Sequence, residues 1–394
     1  MINSIKKNYA YFKNTFFLLL ICNYGCLGQI EIKTGAENTS EYIDLIRGKN
    51  IAIVANNGSI INNGKKNIHL VDSLTLLDIN IKKVFAPEHG FRGTLDAGEK
   101  VYNQIDEKTK IEIISLYGKN KKPKPDDLKN IEILIFDLQD VGVRFFTYIS
   151  TLHYVMEACA ENNIKLIILD RPNPNSHYID GPVLNPINKS FVGMHEVPIV
   201  YGMTIGEYAK MINGEGWLNN SINCELKVIP LKNYTHKSNY IIPLRPSPNL
   251  PNKKAVELYP SLCLLEPTVV SVGRGTEMQF QIYGNPKFPK SKFKFIPRPN
   301  FGAKNPKHNS VICYGKDLRK IKKENKINIK WLIDSYNKYP DKKNFFLKGF
   351  DKISGDSLLK YQIIAGWNDK KIRRTWSDKL EKFKIIRKKY LIYP

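Results

Sequence analysis

The chain has 394 residues, 42% of them hydrophobic and 25% charged, with a formal net charge of +24. That length and balance exclude a disordered or fibrous protein and point to two domains or subdomains with a cleft between them. The charge does not imply a nucleic-acid partner. About fifty of the 61 basic residues are Lys spread along the chain, with no helix-turn-helix, zinc-finger or aromatic RNA-binding motif among them.

In chain order, the first segment reads as an export signal. Lys6, Lys7 and Lys13 precede the apolar run from Phe16 to Ile21, which is too short to span a bilayer as a mature helix. Cleavage after Gly28 is expected, giving an exported, periplasmic or secreted protein with no stable membrane span. Lipid attachment at Cys26 is the alternative, disfavoured because Asn23 and Tyr24 make a poor lipobox. Cleavage leaves Cys159, Cys224, Cys263 and Cys313, and none of these forms a C-x-x-C pair. No metal and no cofactor are expected, and Cys159 reads as a buried thiol on an apolar helical face.

From Asn50 the pattern is βα repeated. A strand at 51–55 ends in Asn56-Asn57-Gly58, and a helix over 70–77 leads to the strand that ends at Pro87-Glu88-His89. A strand at 131–136 ends in Asp137-Leu138-Gln139-Asp140. A helix over 148–161 then feeds a strand at 164–169 that ends in Asp170-Arg171-Pro172-Asn173-Pro174. Short apolar strands alternating with helices predict an α/β fold, a Rossmann-like parallel sheet covered on both faces, with ligands at the carboxyl ends of its strands. Thr204 and Glu207 form a capping box for a helix over 205–212, which gives Glu207 a structural reading beside a ligand-binding one. A further strand is expected at 226–231. Beyond Arg245 the texture becomes Pro-rich, then mixed, then helical from about Asn328, closing on an amphipathic helix over 376–390. The expected division is a Rossmann-like domain at 29–243 and a smaller α+β subdomain at 244–394, with the active site between them.

The densest concentration of reactive side chains is the stretch Val84 to Glu99, where Glu88, His89, Arg92, Asp96 and Glu99 alternate with Gly90, Gly93 and Gly98. No G-x-G-x-x-G follows the first strand, and no Walker loop, G-x-S-x-G or H-E-x-x-H occurs. Acid-rich strand ends with arginines suit glycosidic bond cleavage or another carboxylate-run reaction.

Seven motifs in order give the chain a resemblance to the exo-β-N-acetylmuramidases of the NamZ type, from about residue 45 to Pro394. They are Ala-Pro-Glu-His-Gly-Phe-Arg-Gly (86–93), Phe-Asp-Leu-Gln-Asp-Val-Gly-Val-Arg-Phe (136–145), Leu-Asp-Arg-Pro-Asn-Pro (169–174), Gly-Met-Thr-Ile-Gly-Glu (202–207), Pro-Ser-Pro-Asn-Leu-Pro (246–251), Gly-Arg-Gly-Thr (273–276) and Arg-Lys-Lys-Tyr-Leu-Ile-Tyr-Pro (387–394). The resemblance implies hydrolysis of non-reducing terminal N-acetylmuramic acid from peptidoglycan-derived saccharides. The chain departs from the family at Asn57-Gly58, Glu196, Glu266-Pro267-Thr268-Val269 and Val272, which leaves a catalytically inactive cell-wall carbohydrate-binding protein as the alternative.

Glu88 is the expected general acid, kept protonated by partial burial beside Pro87 and Phe91, with His89 orienting it or contacting the sugar. Asp140 or Asp170, on strands expected to neighbour that of Glu88, would activate water or orient the acetamido group, the other being structural. Sequence does not choose between them. Candidate substrate-binding residues are Asn56, Arg92, Arg171, Asn173, Glu207, Asn249, Glu266 and Arg274. Arg274 or Arg92 is expected to read the lactyl carboxylate that distinguishes muramic acid from N-acetylglucosamine, and Arg144 to brace Asp140.

Overall fold

The computed structural model describes residues 31–62, 66–92 and 103–394. The expected export signal, Cys26, Asp96 and Glu99 lie outside the described residues.

In chain order the described strands are β1 (Ile51–Ala55), β2 (Ile60–Asn62), β3 (Asn67–His69), β4 (Ile81–Ala86), β5 (Gln104–Ile105), β6 (Glu112–Ser115), β7 (Ile133–Asp137), β8 (Lys165–Leu169), β9 (Leu226–Ile229), β10 (Ile282–Asn285), β11 (Lys294–Phe295) and β12 (Cys313–Asp317). The main sheet has seven strands in the order β5-β6-β4-β1-β7-β8-β9, all parallel except the short edge strand β5. Without that edge strand the order is that of a doubly wound Rossmann sheet, in which the chain winds outward from β1 to β6 and restarts on the other side at β7.

Burial on both faces explains why these strands read as unbroken apolar runs. Ala52, Val54, Phe85, Leu134, Phe136, Leu166 and Ile168 face one core, which the helices Tyr148–Glu161 and Ile205–Gly214 cover. Ile53, Val84, Ile135 and Ile167 alternate with them and face a second core under the helix Leu70–Leu76. The Thr204–Glu207 capping box expected at the start of the Ile205–Gly214 helix is present.

The smaller C-terminal part holds a three-stranded sheet, β10-β12-β11, and helices that include Lys330–Lys338, Phe350–Ser354 and Ser377–Lys388. Its apolar residues Leu264, Val270, Phe280, Trp331, Phe350 and Phe383 continue the first core without a break. Each such side chain contributes about 1.5–3 kcal/mol of burial, so the two parts are fixed against each other by packing.

Polar clamps reinforce the junction. Arg144 is fully buried and does not pair with Asp140 as the sequence suggested. Its guanidinium donates to the carbonyls of Pro182, Val197, Ile353 and Ser354. Desolvation among neutral acceptors pushes its pKa down to about 9. Arg373 from the C-terminal part pairs with Asp180 at 2.7 Å. Cys159 is buried, as expected, and all four described cysteines are free thiols.

Candidate active site

The sheet restarts between β1 and β7, and their carboxyl ends, with that of β4 on the far side of β1, open the crevice where a doubly wound sheet takes its ligand. Asp140 follows a strand two places from that of Glu88, and Asp170 one that is three places away. The expectation that both strands neighbour β4 is therefore corrected: β1 lies between.

Glu88 is half-buried at the rim. Pro87 ends β4, and His89 and Gly90 then both take the left-handed backbone region, with φ of +75° and +77°. Two such residues in succession turn the chain sharply away from the sheet and leave the Glu88 side chain at its edge. The Thr147 hydroxyl donates to the Glu88 carboxylate at 3.0 Å, and the Tyr117 hydroxyl is hydrogen-bonded to it as well. Burial, and after it the Glu88 charge, raises the pKa of both Tyr117 and Tyr148. The Tyr148 hydroxyl is fixed in turn by the side-chain amide of Asn56 at 2.6 Å.

His89 is nearly buried and lines a pocket of about 300 Å³ with Asn57, Leu244, Arg245, Pro246, Ser247, Pro248 and Phe301. The sheet edge supplies two of these residues and the loops of the C-terminal part the rest. Arg245 is exposed and extends the cleft into a second cavity of about 330 Å³ along Tyr240, Ile242 and Leu250.

Of the four expected catalytic groups, Asp170 is withdrawn from the crevice. It is fully buried and accepts from the backbone of Arg171 and Gly206 and from the hydroxyls of Thr204 and Tyr393, a donor set that leaves no lone pair for a substrate. Asp140 is also buried. Its Oδ2 accepts from the Gly142 amide and the Tyr201 hydroxyl, while Oδ1 has no partner. Gly142 has φ +74°, and a Cβ there would strike the side chain of Asn173, so the turn that holds Asp140 requires glycine.

Several expected ligand contacts are internal instead. Glu207 is fully buried and accepts from the Thr204, Ile392 and Tyr393 amides and pairs with His236, so its structural reading prevails. Arg171 is consumed by a buried pair with Asp137 at 2.6 Å and by the Ile60 carbonyl. Asn173 bonds the Met203 carbonyl and the Asn175 amide, and Asn56 bonds Tyr148 and the Gly58 amide. Asn249 is buried against the Gly302 carbonyl. Arg92 is held by Asp106 and Asp72 and lies over the Phe91 ring. Arg274 and Glu266, both expected to bind substrate, bind each other at 2.7 Å.

Sequence reasoning passed over Tyr117, Thr147, Tyr148, Tyr201 and Phe301. The first four are hydroxyls that meet a carboxylate or an amide only after folding. Arg245 stands immediately before the Pro-Ser-Pro-Asn-Leu-Pro motif, but nothing local marked it as unpaired.

Two family models match, the N-terminal domain of exo-β-N-acetylmuramidase NamZ over residues 51–254 and its C-terminal domain over 257–393. The chain belongs to the exo-β-N-acetylmuramidase NamZ family. It is 36% identical over 389 residues to the peptidoglycan β-N-acetylmuramidase NamZ of Bacillus subtilis strain 168, covering 92% of each chain. Two crystal structures of DUF1343 family proteins from Bacteroides fragilis share the fold. One matches with TM-score 0.85 and 44% identity over 92% of this chain and 99% of that one. The other has TM-score 0.78 and 29% identity over 93% and 100%.

A NamZ-family chain is a glycoside hydrolase, and the inactive-binder alternative is not favoured. The departures from the family pattern largely avoid the pocket. Val272 is buried in the core, Glu196 is exposed, and Glu266 serves Arg274, so only Asn57 among them lines the pocket beside His89. Among the described residues no group of His, Cys, Asp and Glu is arranged to hold a metal, and no helix is long and apolar enough to cross a membrane.

Burial pushes the Asp140 carboxyl up to about 6. A carboxyl whose folded value exceeds its unfolded one adds stability below the unfolded value, near 4, and loses it as pH rises through 6. The full difference is worth roughly 3 kcal/mol. Asp140→Asn keeps the shape and the acceptor and removes the titration. Wild type should therefore lose melting temperature relative to this variant between pH 4 and pH 7. A difference that stays constant across that range would contradict the assignment.

Proposed function

We infer that this chain hydrolyses the β-glycosidic bond of a terminal N-acetylmuramic acid at the non-reducing end of peptidoglycan fragments, with Glu88 as general acid. The observation that carries this reading is the position of Glu88. Of Glu88, Asp137, Asp140, Asp170 and Glu207, it alone reaches the surface, at the crevice and next to the His89 pocket. Thr147 and Tyr117 hold its carboxyl in one orientation, which suits proton delivery to a leaving-group oxygen. His89 lines the pocket for the terminal sugar. The export expected from the N-terminal sequence fits a substrate found outside the cytoplasm.

The second half of the reaction is assigned by burial. Two-carboxylate hydrolysis needs a second group that meets the sugar or a water. Asp140 and Asp170 are enclosed, whereas the 2-acetamido oxygen of the substrate is already beside the anomeric carbon. In this reading that oxygen displaces the leaving group as Glu88 protonates it, and Glu88 then takes a proton from the water that opens the ring intermediate. Asp140 is a positioning residue: it fixes the Gly142 turn and Tyr201.

The lactyl carboxylate is read by Arg245. Arg92, Arg171 and Arg274 are each paired with an acid, and Arg144 donates to four carbonyls. Arg245 lines the same pocket as His89, and no ion pair holds its guanidinium among the described residues. An arginine already paired must break that pair to bind substrate, and an unpaired one does not.

Three experiments test this reading. Glu88→Gln should abolish turnover of a chromogenic N-acetylmuramide while leaving the melting temperature nearly unchanged, and substantial residual turnover would remove Glu88 from its role. Proton NMR of the first-formed sugar should show the β anomer, the outcome of participation by the acetamido group, whereas an α product would require an enzymic base. Arg245→Ala should cost about 2–3 kcal/mol in kcat/KM on the muramide, the scale of a charge-assisted hydrogen bond, and narrow its preference over the matching glucosaminide. Undiminished selectivity would place the carboxylate elsewhere.

A further inference from the structure

One surface beside Glu88 lies outside the His89–Arg245 pocket. Tyr117 bonds Glu88 through its hydroxyl, and its ring centroid lies 6.4 Å from that of Phe191. Phe191 in turn stacks on Tyr154, with centroids 6.3 Å apart and ring planes at 19°. All three rings are half-buried, so each keeps part of its surface open to solvent. They come from the loop after β6, the 190–193 turn and the Tyr148–Glu161 helix, and the strip they form has no counterpart in any sequence motif. The Lys121 ammonium lies 4.7 Å from the Phe191 centroid, and Lys189 is exposed in the same loop as Phe191.

Three half-buried rings in mutual contact leave part of their apolar surface in water, and the first of them, Tyr117, bonds the general acid. A pyranose ring presents an apolar face of C–H groups to the electron-rich face of an aromatic ring, with hydroxyls left at its edge for water. Lysines beside the rings supply attraction for a glycan that carries a carboxylate on alternate sugars.

We propose that Tyr117, Phe191 and Tyr154, with Lys121, form the binding surface for the glycan on the leaving-group side of the scissile bond. The terminal muramic acid occupies the His89–Arg245 pocket, the next sugar meets Tyr117, and sugars further along the strand meet Phe191 and Tyr154. This rests on the muramidase reading and deepens it, because it makes the enzyme prefer a chain end with several sugars behind it.

The test compares a muramyl-glucosaminyl disaccharide with the corresponding tetrasaccharide, using Phe191→Ala and Tyr154→Ala and leaving Tyr117 intact. Wild type should have the higher kcat/KM on the tetrasaccharide. Each variant should lower that value about 3- to 10-fold, the range expected for one lost ring contact, and change the disaccharide value less than 2-fold. Phe191→Tyr, which keeps the ring, should restore the tetrasaccharide preference, so a folding defect is separated from a lost contact. Equal kcat/KM for the two substrates in wild type, or equal losses on both in the variants, overturns the proposal. If wild type cleaves neither, the muramidase reading fails instead. Tetrasaccharide binding by calorimetry then decides the strip on its own, with weaker binding by Phe191→Ala supporting it and unchanged binding overturning it.

Discussion

A carboxylate under the edge of a parallel sheet has to be surrounded by donors, and much of this structure follows from meeting that demand. Asp170 follows β8 and is fully buried, and its donors come from three separate segments: the loop after β8, the start of the Ile205–Gly214 helix, and Tyr393. Glu207 repeats the arrangement one helical turn away, with the Ile392 and Tyr393 amides among its donors. The two acids therefore pin the C-terminus to the carboxyl edge of the Rossmann sheet. Burial already raises the Asp170 carboxyl to about 7, so removing a donor would favour its neutral form further and leave a buried oxygen unsatisfied, at about 1–3 kcal/mol. The closing Leu-Ile-Tyr-Pro is a family motif with a structural purpose.

The same demand separates the acids of this edge by function. Asp137 is spent on Arg171, Asp170 on four donors and Glu207 on the chain end, while Asp140 is enclosed with one oxygen left over. Glu88 differs because of backbone geometry. A proline followed by two left-handed residues carries it out of the sheet to the rim, where hydroxyls orient it and solvent reaches it. An acid that transfers a proton must be reachable as well as held, and among the described acids of this edge the turn after β4 provides both.

The fold was legible in the sequence because its signal is local. The 51–55 strand and the 148–161 helix fall where the apolar runs place them, since burial on both faces leaves a parallel strand little freedom in composition. Short strands such as β5, β11 and the β2–β3 hairpin carry too few residues to show a period. The site was less legible. Motifs identify residues that cannot change, and in this chain most of those are braces, as Asp170, Arg171, Asn173 and Glu207 show. Whether a motif residue faces the ligand or the protein depends on partners far along the chain. Arg274 shares its loop with two glycines and looked free to reach a ligand, yet Glu266 eight residues earlier takes it. Tyr117 and Thr147 stand in unrelated segments and meet only at Glu88.

The arginines show which side chains the scaffold holds and which it leaves over. A fold this rich in buried acids and orphaned carbonyls takes up guanidinium groups wherever it can satisfy them, and Arg92, Arg144, Arg171, Arg274 and Arg373 are all absorbed in that way. Arg245 escapes because it lies on the proline-rich segment between the two parts of the chain, over the crevice and away from the sheet edge where the acids cluster. Its position relative to His89 then depends on how firmly the C-terminal part is held. That firmness comes from the shared apolar core, the Arg144 carbonyl clamp and the Asp170–Tyr393 contact, none of which touches the pocket. The residues that line the pocket are few, and the residues that keep it in shape are many and buried. Substitutions far from the crevice would therefore change the angle between its walls before they disturb the turn that holds Glu88.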